Sequence, residues 1–379
     1  MDFNYLQERV KIHRQSLHQI PEISFDLVKT HAYVRSTLES MGYEVETVAQ
    51  TGLIAAKKGR QTQSIAFRAD MDALRVLEKT NAPFASLTPG HMHACGHDGH
   101  MAVLLGFAEY VSKLEQTEKT IVFIFQPAEE GPGGAKVIID EGIFEKYNIE
   151  SIFGFHVYPE LEEGKIGLVR GPMMAQNGEF DLTILGKSSH GAQPQSGNDA
   201  IVAAGSLITQ YQSIISRFLD PLVPSVVTIG TIQGGEARNI IAQTVLMSGT
   251  IRTFETPVYE RIKQAIYDIN KAVEIAYGVR VEIDLRDYYP PVINDDQLFD
   301  AVKDILDEEE VALIRPMMFA EDFAFYQQKV PGLFMMLGTR NESLGYVHPL
   351  HSCYFNLEES TLLKGVKTYI KICAQLNYF

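Results

Sequence analysis

The sequence predicts an α/β fold in which a mostly parallel sheet carries a smaller, inserted α/β layer. Apolar runs of strand length alternate with stretches of helical spacing in the first half of the chain, which is typical of parallel sheets. Near Gly178 the order changes to β-α-β-β-α-β, the split pattern of a ferredoxin-like layer. At 379 residues the chain exceeds the comfortable size of one core, so two domains are expected.

The first half of the chain supplies the elements of the main sheet. Residues 3–19 and 26–41 have the apolar spacing of helices, and 102–111 is apolar enough for a buried helix. Continuous apolar runs, as expected of strands covered on both faces, occupy residues 64–67, 120–125 and 151–155. Each of these three runs leads into polar residues, and sites in open α/β sheets gather beyond the carboxyl ends of strands.

The inserted layer is predicted from the elements that follow Gly178. They come in the order strand 179–185, helix 198–215, strands 225–232 and 244–252, helix 258–277 and strand 279–285. Gly278 follows the second helix as a C-terminal stop. Helices at 297–307 and 357–376 and a strand at 333–337 then return to the first layer. We therefore predict a main domain formed by 1–175 and 290–379 and a satellite domain formed by 176–289.

Composition and charge exclude several classes of protein. The net charge of −15 argues against nucleic acid as a partner, because phosphate binding requires clustered Lys and Arg. The N-terminal residues show no signal-peptide pattern, and no apolar run approaches the roughly 18 residues of a membrane span. The three cysteines are widely spaced, which suits a reducing compartment. The expectation is a cytoplasmic protein without a membrane partner.

The segment from His91 to His100 is the strongest chemical signal in the chain. Its ten residues, HMHACGHDGH, contain four imidazoles, a thiol and a carboxylate, with two glycines that permit sharp turns. A packed core has little use for such a segment, because every buried imidazole needs a polar partner. Imidazole and thiolate are instead the ligands for which zinc, manganese, cobalt and nickel compete. Cys95 and His97 lie two apart on a turn and can face one ion.

Further candidate ligands follow the other predicted strands. Glu129 and Glu130 come after the run 120–125, and adjacent carboxylates on a loop point in different directions. One of them can bind metal while its neighbour activates water. His156 and the pair His348 and His351 add imidazoles from distant sequence. The pattern predicts that these groups converge at one edge of the sheet.

These segments carry a family resemblance. The chain resembles the zinc- and manganese-dependent aminoacylase and carboxypeptidase superfamily. It is most similar to the amidohydrolase branch of hippurate hydrolases, auxin–amino acid conjugate hydrolases and N-acyl-amino acid deacetylases. The matching motifs run in family order over essentially the whole chain: LHQIPE at 17–22, RADMDAL at 68–74, HACGHDGH at 93–100, QPAEEG at 126–131, GFH at 154–156, SHG at 189–191, EDF at 321–323 and HSCYF at 351–355.

The resemblance implies a metal-dependent amidohydrolase with two divalent ions in the main, catalytic domain. It implies these metal ligands, with one group bridging: Cys95, His97, Glu130, His156 and His351. Glu129 would be the general base, and Asp70 would orient a ligating imidazole, as carboxylates behind metal-bound histidines do. The implied substrate is an N-acyl L-amino acid, for example an N-acetyl amino acid.

The resemblance assigns the satellite domain a part in the site and in assembly. His190 would donate to the substrate carbonyl oxygen, in relatives across a dimer, so a homodimer through this dimerisation or lid domain is expected. Asn239 and Arg252 are weaker candidates for binding the substrate carboxylate. Asp72 is expected only to cap the turn that follows it.

Some alternatives remain open at this point. Many superfamily members have a histidine ligand on the first strand where this chain has Arg68, and Cys95 compensates for it. The mixed thiolate and carboxylate set leaves zinc, manganese, cobalt and nickel all possible. His93, His100 and His348 fit structural roles. Alternative functions are N-acetyl-diaminopimelate deacetylation in lysine biosynthesis, di- or tripeptide hydrolysis, and an inactive metal-binding scaffold.

Overall fold

The computed structural model describes residues 2–379, which divide into two compact units. Among the described residues, the first unit comprises 2–171, Ile293–Pro316 and Asp322–Phe379, and the second comprises Pro172–Val292 and Met317–Glu321. Within residues 2–379, no helix is both long and apolar enough to span a membrane. All three cysteines are free, as their wide spacing predicts.

The described residues form ten α-helices and fourteen strands. The helices are α1 Phe3–His18, α2 Val28–Ser40, α3 His97–Ser112, α4 Ala135–Asp140, α5 Ile143–Tyr147, α6 Ala200–Ser213, α7 Thr256–Tyr277, α8 Asp296–Ile305, α9 Ala324–Gln327 and α10 Leu362–Gln375. The strands are β1 Val45–Val48, β2 Gly52–Lys57, β3 Ser64–Asp70, β4 Thr120–Gln126, β5 Ile149–Glu162, β6 Ile166–Leu168, β7 Gly171–Met174, β8 Gln176–Leu185, β9 Ser225–Gly234, β10 Thr244–Thr253, β11 Arg280–Asp287, β12 Val292–Asn294, β13 Val311–Leu313 and β14 Gly332–Arg340.

The first unit is built on an eight-stranded sheet in the order β1-β2-β4-β3-β5-β14-β6-β13. The four central strands β4, β3, β5 and β14 are parallel, and the β1–β2 hairpin joins β4 antiparallel at one side. The central strands are buried along almost their whole length, as expected of strands covered on both faces. The predicted mostly parallel α/β sheet is therefore confirmed.

Helix α3 and an aromatic cluster form the centre of this core. The helix is buried on nearly every side and packs against α1 and α10. Phe67 of β3 contacts Phe107 of α3 and Tyr369 of α10, with ring centroids 4.7 Å apart in both pairs. Because α3 starts at His97, this packing fixes the position of the histidine-rich turn.

The second unit contains a four-stranded antiparallel sheet in the order β11-β8-β10-β9 with helices α6 and α7. Its elements follow one another as β8-α6-β9-β10-α7-β11. Asp199 caps α6 by accepting from the Ile201 and Val202 amides. Helix α7 ends at Gly278, whose φ of 63° is the left-handed stop that the sequence predicts.

Several element boundaries differ from the sequence prediction, and helix α3 begins at His97 rather than at residue 102. The strand predicted at 151–155 continues through His156 to Glu162, because β14 pairs with it beyond the point where β3 ends. The predicted helix at 357–376 begins only at Leu362, after a 3-10 turn at Glu359–Thr361. His156 is therefore a strand residue and not a residue of the following loop.

Candidate metal centre

Cys95 and His97 are presented at the N-terminus of α3. Gly96 separates them with a φ of 87°, which turns the backbone so that both side chains face the same side. Both residues are buried. The Nδ1 of His97 donates to the carbonyl oxygen of Asp72 at 2.8 Å, so its Nε2 lone pair is free to face the site.

Glu129 and Glu130 lie on the loop after β4. Ala128 precedes them with a φ of 59°, a left-handed conformation that costs an alanine about 1–2 kcal/mol. The backbone amide of Glu129 donates to Asp72 Oδ1 at 3.0 Å, and that of Glu130 donates to Asp72 Oδ2 at 3.1 Å. The strained turn and these two hydrogen bonds fix the direction of both glutamate side chains.

Two further imidazoles reach the same place from β5 and from the loop after β14. Nδ1 of His156 donates to the main-chain carbonyl of Val157. Nε2 of His156 is therefore an acceptor, and it lies 3.3 Å from Cys95 Sγ. His351 Nε2 lies 3.3 Å from the same sulfur. The His351 backbone has a φ of 65°, and its amide donates to the Ala94 carbonyl at 2.8 Å. This second strained residue is thus held against the histidine-rich turn.

The donor atoms converge closely enough to share metal ions. Three of the groups whose ligand atoms all lie within 4.8 Å of one another consist only of the predicted ligands and Glu129: Cys95, His97 and His156; Cys95, Glu130 and His351; and His97, Glu129 and Glu130. Two donors bound to one zinc at about 2.1 Å and a tetrahedral angle lie about 3.4 Å apart. His351 Nε2 and Glu130 Oε1 are 3.4 Å apart, and both contacts of Cys95 are 3.3 Å.

Two buried atoms at this site have no hydrogen-bond partner among residues 2–379. They are His97 Nε2 and Glu130 Oε1, which lie 4.0 Å apart. Leaving buried polar atoms unpaired costs about 1–3 kcal/mol each, so proteins avoid it unless something else binds there. Together with the sulfur, nitrogen and oxygen donors, this pair fits a divalent transition metal.

The charge balance of the site also favours a bound cation. Burial alone would lower the pKa of His97, but Asp70, Asp72 and Glu130 raise it to about 10. The site therefore favours a positive charge at Nε2, either a proton or a metal. Burial, reinforced by Glu130 and Glu129, raises the pKa of the Cys95 thiol well above its usual value when no cation is present. Burial lowers the pKa of His156 to about 3, which keeps this imidazole neutral as a metal ligand must be.

The structure changes the interpretation of Asp70. Its Oδ1 accepts from His100 Nδ1 at 2.6 Å and its Oδ2 from Arg68 at 2.7 Å. His97, in contrast, donates to the Asp72 carbonyl. The imidazole that Asp70 orients is therefore that of His100, which is not among the predicted ligands, although Asp70 Oδ2 still lies 3.8 Å from His97 Nε2.

Three further histidines of the first unit, which are not among the predicted ligands, have different surroundings. His100 Nε2 accepts from the Val157 amide at 2.9 Å, so both of its ring nitrogens are used and neither can bind metal. Neither ring nitrogen of buried His93 has a hydrogen-bond partner in the described part of the chain. His348 is exposed and lies beside the Tyr354 ring.

The three candidates in the second unit have defined local contacts. His190 is exposed, and its Nδ1 accepts from the Ala192 amide at 3.1 Å, so the neutral ring carries its proton on Nε2. The carbonyl of Asn239 accepts from the Gly191 amide, which places Asn239 beside the His190 turn. Arg252 lies half-buried on β10, where burial lowers its pKa and Glu179 opposes this shift.

Two features of the site have no clear sequence signal. Asp72 contacts residues that lie 25 to 58 positions further along the chain. Arg68 is buried and donates to Asp70, Gln126 and Asp322, which join it in one polar network. The only sequence hint of the Asp72 contacts is a carboxylate close to a metal motif. The only hint of the Arg68 network is a charged residue inside an apolar strand.

Gly96 allows a direct test of the histidine-rich turn. A Cβ at this position would lie 2.3 Å from Val157 Cγ2, in addition to the left-handed strain at φ 87°. We expect Gly96→Ala to lose about 2–5 kcal/mol of stability from strain and overpacking. We also expect metal affinity to fall about 10–100-fold, because Cys95 and His97 must move. Thermal melting and metal analysis after dialysis measure both effects.

Gly90→Ala is the matched control for this substitution. Gly90 has a φ of 83°, but a Cβ there would meet nothing within 4 Å. Gly90→Ala should lose only the stability that a left-handed backbone costs an alanine, about 1–2 kcal/mol. Its metal content should be unchanged. Equal losses of stability and metal in the two variants would contradict the described packing of the turn.

Comparison with known proteins identifies the family. The model of Peptidase family M20/M25/M40 matches residues 66–375. An uncharacterized hydrolase of Staphylococcus aureus strain MRSA252 is 37% identical over 370 residues, which is 96% of each chain. A crystal structure from methicillin resistant Staphylococcus aureus has a TM-score of 0.93 at 32% identity and covers 100% of this chain and 98% of that one.

A second solved structure adds the metal chemistry. The Bacillus subtilis YXEP protein, described as a dinuclear metal binding peptidase from the M20 family, is 32% identical with a TM-score of 0.85 and 99% coverage of both chains. The donor clusters described above lie in the same kind of fold. The chain belongs to peptidase family M20/M25/M40 and is a metal-dependent hydrolase.

Proposed function

We propose that this protein is an amidohydrolase that cleaves N-acyl L-amino acids, such as N-acetyl amino acids, to a carboxylate and a free amino acid. Two divalent ions would be held by five side chains: Cys95, His97, Glu130, His156 and His351. The observation that carries the proposal is that these donors meet beside a further carboxylate, Glu129, whose Oε2 lies 3.8 Å from His97 Nε2. A carboxylate so close to the ligands, on a fixed backbone, is suited to proton transfer.

The chemistry divides between the ions and the protein. When bound, divalent ions polarise a carbonyl group and make water acidic enough to ionise near neutral pH. Glu129 takes the proton of the attacking water and delivers it to the nitrogen of the departing amino acid. Its side chain is 9% exposed, so little bulk water competes for that proton.

The second unit would supply the groups that bind the substrate. Because Ala192 donates to His190 Nδ1, the Nε2–H of His190 is available to donate to the carbonyl oxygen as negative charge develops there. Asn239 and Arg252 are proposed to bind the substrate carboxylate.

We also propose a homodimer, and light scattering should give twice the mass of one chain.

The substrate class is tested by comparing matched compounds on the metal-loaded enzyme. N-acetyl-methionine and hippurate should be cleaved. Dipeptides that release the same amino acid but carry a free amine should have a kcat/KM at least tenfold lower. The Bacillus subtilis relative is described as a peptidase, so the opposite preference would favour the peptidase alternative. Preference for N-acetyl-diaminopimelate would favour the lysine-biosynthesis alternative, and no turnover of any compound would favour the scaffold.

Metal removal gives an independent expectation. Chelation followed by desalting should abolish turnover, and zinc, manganese, cobalt or nickel should restore it to different degrees. Loss of the ions also leaves His97 Nε2 and Glu130 Oε1 unpaired, so the melting temperature of the apo protein should be lower. Full activity after complete removal of metal would contradict the proposal.

A further inference from the structure

Asp72 contacts three residues of the metal centre at once. Its side chain is fully buried. Oδ1 accepts from the Glu129 amide and Oδ2 from the Glu130 amide, while the Asp72 main-chain carbonyl accepts from His97 Nδ1. This residue lies two positions after the end of β3, so the central sheet holds it in place.

The two side-chain contacts require a carboxylate. Adjacent amides on an irregular loop present two N–H donors, and a carboxylate supplies an acceptor oxygen for each of them. Asparagine supplies one acceptor, and its NH₂ group would face the other N–H. The loop at Glu129 and Glu130 belongs to no helix or strand. The side chain of Asp72 therefore supplies the acceptors for these two amides that a helix or a sheet would supply elsewhere in the chain.

We infer that Asp72 is a positioning residue that orients Glu129 and Glu130 relative to His97. This inference rests on the proposed function. By holding consecutive amides with its two oxygens, Asp72 sets which glutamate faces the metal and which faces the water. Its carbonyl fixes the tautomer of His97 in the same arrangement. One residue thereby couples a ligand from the helix N-terminus to the loop that carries the base.

The test compares Asp72→Asn with Glu22→Gln in the metal-loaded enzyme. Glu22 is a matched control, because its carboxylate also accepts from two adjacent amides, those of Lys29 and Thr30, at the start of α2. The first measurement is amide hydrogen exchange. Asp72→Asn should speed exchange in peptides covering 127–133 at least tenfold, and Glu22→Gln should do so only in peptides covering 28–31.

The second measurement separates positioning from simple stability. A general base displaced by about 1 Å costs about 100-fold in rate, so Asp72→Asn should lower kcat about 100-fold and change KM less than threefold. Glu22→Gln should leave both constants at the wild-type values. Faster exchange at 127–133 with an unchanged kcat, or a change confined to KM, would overturn the inference.

A second variant covers the case in which Asp72→Asn does not fold. Asp72→Glu keeps both acceptor oxygens, so its kcat should lie between those of the wild type and the asparagine variant. If only the glutamate variant folds, a lowered kcat with unchanged KM supports the inference and a wild-type kcat overturns it. If the wild type hydrolyses no N-acyl amino acid, the proposed function fails, while hydrogen exchange still decides whether Asp72 anchors the two amides.

Discussion

Glu129→Gln should lower kcat by about 10²–10⁴-fold while the protein retains its metal. The substitution removes the carboxylate that accepts the proton of water, and general bases contribute about 10²–10⁴ in rate. Glutamine has nearly the same shape, and the backbone amide of residue 129 can still donate to Asp72. Steady-state kinetics and metal analysis on the same sample measure both quantities.

The control for this variant is Glu8→Gln on the exposed face of α1. This substitution removes the same charge at a position that is distant in sequence from the candidate site. It should therefore leave kcat at the wild-type value. A Glu129→Gln enzyme with full metal content and wild-type kcat would remove Glu129 from the mechanism. Loss of metal together with kcat would instead make Glu129 a ligand.

Arg68→Met should be the most destabilising single substitution of those considered. The side chain of Arg68 is 1% exposed and donates to Asp70 at 2.7 Å, to Asp322 at 2.8 Å and to Gln126 at 2.9 Å. Methionine fills the space but leaves two buried carboxylates without their cation. Breaking a buried ion pair in this way costs about 3–5 kcal/mol. The melting temperature should therefore fall by roughly 10 °C.

Arg60→Met is the matched control for the loss of this cation. Arg60 pairs with Glu118 at 2.7 Å, but its side chain is 64% exposed. Exposed pairs contribute about 0–1 kcal/mol, so the melting temperature should barely change. Similar melting temperatures for the two variants would mean that the buried network around Arg68 does not form.

The sequence predicts the central sheet well because its strands are buried on both faces. Residues 65–67 of β3 and 121–125 of β4 are apolar, and such runs leave few alternatives to a parallel strand. The β1–β2 hairpin is not predicted. β1 is short and only partly buried, and the turn uses Ala49 and Gln50 with φ of 42° and 67°, where glycine or asparagine is the usual signal.

The candidate site is predicted as a set of residues but not as an arrangement. The spacing of Cys95 and His97 and the adjacent pair Glu129 and Glu130 indicate metal chemistry from the amino-acid sequence alone. Which carboxylate supports which imidazole depends on contacts across the sheet. Sequence reasoning therefore ranks Asp70 above Asp72, whereas the structure pairs Asp70 with His100 and gives Asp72 the contacts to His97 and both glutamate amides.

The decisive experiment is to locate the metal ions in crystals of the zinc-loaded protein by diffraction on both sides of the zinc absorption edge. We expect two anomalous peaks, with ligands drawn from Cys95, His97, Glu130, His156 and His351 and with Glu129 next to them. An active enzyme whose zinc lies elsewhere, or whose five side chains surround no ion, would contradict this description of the metal centre.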